Sequence, residues 1–295
     1  MNDTIKKDTN CLSSLSFAAL LTAAGCFSLS LYMPREGENA ALTAVTAAVS
    51  CLIKLPLFLA AAKLAERLRD SRIFHTALAA AAVFFMILGA DSFSEMTVSA
   101  YPERCTKLTT VAVLLFICCY TASTGLAGTA RTAGLILFGF AAVCIPVMFE
   151  MRGSMLTDRL DLFSPDPAGE TVRTALRLSG LFCEPVIFMG LIGDTEGDVR
   201  LAVKPYLIAQ AIVSGIFFLM CGAVMGRFFG SSGYAFYALS YNTHGAFIDR
   251  ANGIFTFFAS AFAILTISAL MIVLRRSFDA VFRVESGEPP APRKE

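Results

Sequence analysis

The sequence predicts an all-α polytopic membrane protein of about eight transmembrane helices. Three observations predict it. Hydrophobic residues make up 56% of the chain and charged residues only 16%, against about 25% charged in a soluble domain. The apolar residues gather into about eight runs, most of them close to the roughly 20 residues that cross a hydrocarbon core. The charges fall almost wholly between those runs. A chain with a mean hydropathy of +0.66 cannot cover itself with polar groups in water. The runs are too long and too continuous for the alternating strands of a membrane barrel. In lipid every backbone polar group must be paired internally, so each run is expected to be a helix.

The first run, 12–33, follows a polar segment, Met1 to Asn10. It shows no small-residue cleavage pattern before Pro34, so it is read as a retained helix and not as a removed signal peptide. Gly25, Cys26, Ser28 and Ser30 interrupt it. The second run, 40–62, holds Lys54 just before Pro56 and ends in Lys63, Arg67, Arg69 and Arg72. Basic clusters at span ends stay cytoplasmic, and with eight spans both termini then fall on the cytoplasmic side. Runs at 73–91, 107–127 and 131–150 follow. The segment 151–177, with Pro165 and Pro167, reads as a loop. The sixth run, 178–193, is short and contains Glu184-Pro185. The seventh is 205–228. A second loop, 229–250, carries Gly230, Gly233 and Gly245 with Tyr234, Tyr237 and Tyr241. The last run, 253–274, contains Thr266 and Ser268. After Arg276 the chain is polar and Pro-rich, the composition of a disordered segment. Residues 1–276 therefore read as one transmembrane domain and 277–295 as a cytoplasmic tail. Tyr32, Tyr101, Tyr120 and Tyr206 lie near predicted span ends, where tyrosine often anchors at the interface.

The net charge of +1 gives no bias towards polyanions, so nucleic acid is not expected as a partner. Seven of the nine cysteines lie inside apolar runs and no CxxC pair occurs, so they read as small packing residues and not as metal ligands or disulfides. No nucleophile elbow, phosphate-binding loop, zinc signature or paired-carboxylate arrangement is present. Neither an enzyme nor a bound cofactor is expected.

The informative residues are polar groups placed where lipid should be, because a charge in a span costs a few kcal/mol and marks a site by default. Glu184 directly precedes Pro185 in a short run. Proline disfavours helix at the residue before it and removes a backbone donor. A short, proline-interrupted span is what a discontinuous transporter helix looks like, with free backbone groups at membrane depth. An ordinary proline kink with Glu184 paired to a neighbouring helix is the structural alternative. Lys54 either pairs with Glu184, stands in for a coupling cation, or snorkels towards the surface on its long stem. Thr266 and Ser268 add hydroxyls in the last run, as packing or local hydrogen-bond residues do.

Three stretches carry a resemblance to the spore germination permeases, the integral-membrane B subunits of germinant receptors in endospore-forming bacteria. That family is a branch of the amino acid–polyamine–organocation transporter superfamily. Tyr120-Thr-Ala-Ser-Thr-Gly-Leu-Ala-Gly-Thr-Ala-Arg131 is similar to the family's entry to the fifth helix, with Gly125, Ala130 and Arg131 at the characteristic positions. Phe182-Cys-Glu-Pro-Val-Ile-Phe-Met189 resembles the family's broken sixth helix. There Glu184 falls on the family glutamate and Cys183 replaces a glycine. Gly245-Ala-Phe-Ile-Asp-Arg-Ala-Asn-Gly-Ile-Phe255 resembles the entry to the eighth helix, with Asp249 and Arg250 on the acidic–Arg pair and Asn252 in place of an Asp. The resemblance implies a five-plus-five inverted-repeat transporter fold, truncated here because the family pattern continues for two more helices. It implies a midplane site that includes Gly25, Cys26, Cys183, Glu184, Pro185, Thr266 and Ser268, with Lys54 as a charge partner in the membrane. It also implies a subunit that binds a small amino-acid-like germinant beside other receptor subunits, in the inner membrane of the spore. A permease of the same superfamily and a non-transporting membrane scaffold are the rival readings.

Overall fold

The computed structural model describes residues 12–68, 71–151, 167–181, 187–188, 191, 195–196, 200–241 and 251–286. The first four helices start where the sequence offers a cap. Ser13 Oγ accepts the Ser16 amide at 3.2 Å and opens α1 (Ser14–Ser30). Asn39 Oδ1 accepts the Ala41 and Leu42 amides and opens α2 (Ala40–Arg67). Ser71 caps α3 (Arg72–Ala100), and Thr106 with Thr109 forms a reciprocal capping box on α4 (Lys107–Ser123). Each such cap satisfies amides that the helix itself leaves unpaired. Gly125, at φ +85°, turns the chain from α4 into α5 (Leu126–Met151). Pro167 is the first residue of α6 (Pro167–Leu181), where the missing N–H would have had no partner anyway. The rest comprises α7 (Arg200–Met225), a 3-10 helix (Gly226–Ser231), α8 (Ala235–Tyr241) and α9 (Ala251–Ser286). Two short strands, β1 (Leu12–Ser13) and β2 (Thr195–Glu196), pair in parallel and join the chain just before α1 to the chain just before α7.

Five segments are long and apolar enough to cross a membrane: Ala40–Arg67, Arg72–Ala100, Leu126–Phe149, Leu201–Ser231 and Gly253–Phe282. Helices α1 and α4 are apolar but shorter. The protein is an all-α, multi-pass membrane protein. The expected count of about eight spans is not reached among the described residues. The run at 178–193 supplies the end of α6 and otherwise lies mostly outside them.

Two segments read as loops contain helices. In α6, Thr174, Ala175 and Leu178 are buried while Val172 and Leu176 are exposed. This is an amphipathic helix, with no apolar run to announce it. In the 229–250 segment, α8 buries Ala235, Phe236 and Leu239. The last helix also continues to Ser286, where the composition suggested a disordered tail from 277 onwards. Phe278, Val281 and Phe282 keep the helical apolar period there, although the surrounding residues are polar.

The bundle is built from two packing groups that share one helix. In the first group α2 packs against α7 and α6. In the second, α9 packs against α3, α4 and α5. Helix α1 packs against α7, α9 and α5, so it belongs to both, and nearly every residue from Phe17 to Ser30 is buried. Phe236 of α8 adds a second link. Its ring lies 5.8 Å from Phe217 of α7, 5.0 Å from Phe255 of α9 and 6.4 Å from Phe140 of α5. In lipid, helices gain little from hiding apolar surface, so close packing and polar contacts hold them together. Helix α1 suits that role, because Ala18, Ala23, Ala24 and Gly25 allow close approach.

Candidate functional site

The polar interior lies between α1, α2 and α7. Lys54 is 1% exposed and Gln210 is 1% exposed, each near the middle of its helix. The pairing of α2 with α7 fixes their relative height. Phe58 and Tyr206 meet with ring centroids 5.4 Å apart. The chain runs down one helix and up the other, as the Gly37–Ala41 and Gly222–Arg227 segments at one shared cleft require. One helical turn from that ring pair, on the same faces, come Lys54 on α2 and Gln210 on α7. One turn further come Ser50 and Ser214, both buried. The antiparallel register thus sets Lys54 and Gln210 at the same height along their helices.

Gly25 of α1 completes this level. A Cβ placed on Gly25 would lie 2.0 Å from Gln210 Oε1 and 2.8 Å from its Cδ. The amide therefore occupies the notch that the glycine leaves. The nearby hydroxyls are already used within their own helices. Thr22 donates to the Ala18 carbonyl at 2.8 Å, Ser28 to Ala24 at 3.2 Å, Ser50 to Ala47 at 2.7 Å and Ser214 to Gln210 O at 2.6 Å.

Lys54 does not snorkel. Its ammonium is sealed inside the protein, because the face of α2 that carries it is covered by neighbouring helices. Cys26 is buried beside Gly25 in α1. Thr266 and Ser268 are both buried in α9, but two residues are about 200° apart around a helix, so they do not share a face. Thr266 donates to Phe262 O at 2.8 Å within its own helix. Ser268 crosses to α4, donating to Cys118 O at 3.2 Å, while the Cys118 thiol donates back to Ile264 O at 3.7 Å. That reciprocal pair fastens α9 to α4. Cys183, Glu184 and Pro185 lie outside the described residues.

A second polar cluster closes one end of the first group. Tyr32 donates its hydroxyl to Glu38 Oε1. Arg177 of α6 donates from Nη1 to Glu38 Oε2 at 2.9 Å and from Nη2 to the Met33 carbonyl. The guanidinium also lies 4.9 Å from the centroid of the Tyr32 ring, a cation–π arrangement. The Glu38 side chain is only 5% exposed. Burial pushes the Tyr32 hydroxyl well above its usual range, and the Glu38 carboxylate beside it adds to the shift. Gly230 of the 3-10 helix packs on the same loop so tightly that a Cβ would lie 2.7 Å from Arg35 O.

Tyr32 and Tyr206, expected at the membrane interface, are instead fully buried. Tyr32 turns inwards to Glu38, and Tyr206 packs against Phe58 with the rings tilted. Tyr120 is 72% exposed on α4. Sequence reasoning missed Gln210, although a lone amide inside the run 205–228 was a visible signal. It also missed the Tyr32–Glu38–Arg177 cluster, whose members are far apart in the chain.

Comparison with known protein families, curated proteins and solved structures finds no match. Composition, helix length and packing together define an integral, multi-pass helical membrane protein with buried polar side chains midway along α2 and α7.

Proposed function

We propose that this protein is the integral-membrane subunit of a spore germinant receptor, not an enzyme. It binds a small amino-acid-like germinant within the bundle and signals by shifting between two arrangements of its helices. One observation carries the reading. Lys54, an ionisable side chain, is held fully buried midway along a membrane-spanning helix. Such a placement costs free energy and characteristically marks a substrate or ion path. The resemblance of the Tyr120–Arg131, Phe182–Met189 and Gly245–Phe255 stretches to the spore germination permeases supports the choice among membrane proteins. On that resemblance the chain works beside other receptor subunits in the inner spore membrane, with Glu184 as a further ligand contact.

A permease of the same superfamily is the second reading. The division of the bundle into two groups joined through α1 favours it, since transport by alternating access needs two bodies that rock against each other.

The test is thermal stability of the purified protein in detergent, across amino acids, nucleosides and sugars, for wild type and Glu184→Gln. A ligand bound only by the folded form raises the melting temperature by mass action. The expected result is a shift with amino acids that shrinks in the variant. No shift with any ligand, both proteins being folded, rejects the receptor reading in favour of a non-transporting scaffold. Sustained, saturable uptake into proteoliposomes selects the permease.

A further inference from the structure

We infer that the end of the bundle where α2, α7 and α9 carry Lys63, Arg67, Lys204 and Arg275 is a docking surface for anionic phospholipid. The inference is independent of the proposed binding function, because it concerns the rim of the bundle and not its interior.

The argument starts from where these four residues lie. Helices α2 and α7 run antiparallel, with Phe58 against Tyr206. Lys63 follows Phe58 by little more than a turn, and Lys204 precedes Tyr206 by less than one, so both stand at the same end. Arg67 lies one turn beyond Lys63. The third helix reaches this end as well. The start of α9, at Phe255, Thr256 and Ala259, meets the end of α3, at Met96, Thr97 and Ala100. The two helices pack closely, so the last turns of α9 lie beside the start of α3, which follows α2 through a short turn.

All four side chains are exposed. Among the described residues none of the four has a carboxylate partner. At the opposite end Arg177 is held by Glu38, and Lys107 by Glu95. The charge balance differs in the same sense. The described acidic side chains near the four bases are Glu66 and Asp279, whereas the opposite end sets Glu36, Glu38, Asp91, Glu95 and Glu103 among its bases.

The apolar neighbours then select the partner. Leu64, Leu201 and Phe282 are each more than half exposed. Each also lies in the first or last turn of a segment long and apolar enough to cross a membrane. Exposed apolar groups interleaved with uncommitted bases at span ends fit the headgroup level of a bilayer. The apolar side chains meet the acyl chains, and the long basic side chains reach outwards to phosphate. Phosphatidylcholine brings its own cation, which offsets the attraction. Phosphatidylglycerol presents a phosphate that accepts from Lys and Arg with no cation of its own.

The experiment uses the full chain in an uncharged detergent. Thermal stability is followed as phosphatidylglycerol, or phosphatidylcholine with the same acyl chains, is added. A lipid bound only by the folded form raises the melting temperature. Phosphatidylglycerol is expected to act at the lower concentration, and added salt to shrink its advantage. Replacing one base by glutamine should raise the phosphatidylglycerol concentration at half effect by about fivefold, the weight of one base at an anionic surface. Lys63→Gln, Arg67→Gln and Lys204→Gln together should raise it by more than tenfold. Arg275→Gln, on a different helix, gives a separate reading should the triple variant unfold. Arg35→Gln, Arg104→Gln and Arg227→Gln together remove the same charge from the opposite end and should leave the response unchanged. Equal responses to the two lipids overturn the inference. So does an unchanged response in the triple variant and in Arg275→Gln. An equal loss in the opposite-end variant overturns it too, since net charge alone would then be felt. A response to glycerol phosphate as large as that to phosphatidylglycerol overturns it in favour of a soluble anion.

Discussion

The two packing groups are alike in hydropathy and unlike in how they hold together. Around α2 and α7 the contacts include an ion pair, a buried lysine and a buried amide. Around α9 they are mostly rings and small side chains, with the Ser268–Cys118 exchange as a cross-helix bond, and the ion pairs there, Lys107 of α4 with Glu95 and Asp91 of α3, are exposed. The outer helices of the second group also face outwards. Only 11% of the apolar stretch of α5 is buried, against 72% for α9, although both are strongly apolar. Hydropathy therefore separates membrane from water but not lipid from protein. Residue size alone does not separate them either, since α9 buries Phe258, Phe262, Leu265 and Leu270 together with its small and hydroxyl residues. The side chains α5 exposes include Leu135, Phe138, Ile145 and Phe149, while α9 buries Ala259, Ala263, Thr266, Ser268 and Ala269.

That contrast can be broken, and the largest effect is expected in the first group. Arg177→Met strands the Glu38 carboxylate in a nearly buried site and should cost about 3–5 kcal/mol, read by denaturation in detergent. Adding Glu38→Gln should recover much of it. A small loss in the single variant would show that the pair is only a surface contact. In the second group, Ala263→Leu forces a larger side chain into a fully buried position of α9 and should cost about 1–3 kcal/mol. Tyr32→Phe removes one hydrogen bond to Glu38 and should cost roughly 1 kcal/mol at neutral pH. It has a further signature at alkaline pH. Because the folded hydroxyl is held above its ordinary value of 10.0, the unfolded chain releases that proton first as pH rises through about 10. Wild-type stability should therefore fall with rising pH in that range, and Tyr32→Phe should fall less. The smallest effect is expected for Leu135→Ala on the outward face of α5. It should stay within about 0.5 kcal/mol, and a loss as large as that of Ala263→Leu would mean that α5 is covered by protein and not by lipid.

Much of the fold was legible because a membrane span is written in about twenty consecutive letters. The runs at 40–62, 73–91, 131–150, 205–228 and 253–274 correspond to the five long helices. Helix α6 was not legible from runs, because its signal is a period and not a composition. Lys54 stood out because a charge in an apolar run is rare. Gln210 passed unnoticed because it carries no charge, and its importance depends on Gly25, far away in sequence and adjacent in space. The Tyr32–Glu38–Arg177 cluster was hidden for the same reason. No local pattern ties residue 177 to residue 38.

The two-residue pairing of β1 with β2 has a mechanical consequence. It fastens the start of α1 to the start of α7 by backbone hydrogen bonds, so any parting of these two helices is smallest at that end and largest at the other. The 17 residues of α1 make an arm of about 25 Å. A swing of roughly 10° about the pinned end carries the far end by about 4 Å, while Gly25, about two-thirds of the way along, parts from Gln210 by about 3 Å. The glycine notch would then open just enough to be felt by a small molecule, and the same swing would pull Tyr32 away from Phe218, its ring neighbour on α7. A minor event at mid-depth is in this way geared to a larger one at the end of the bundle where Arg177 meets Glu38.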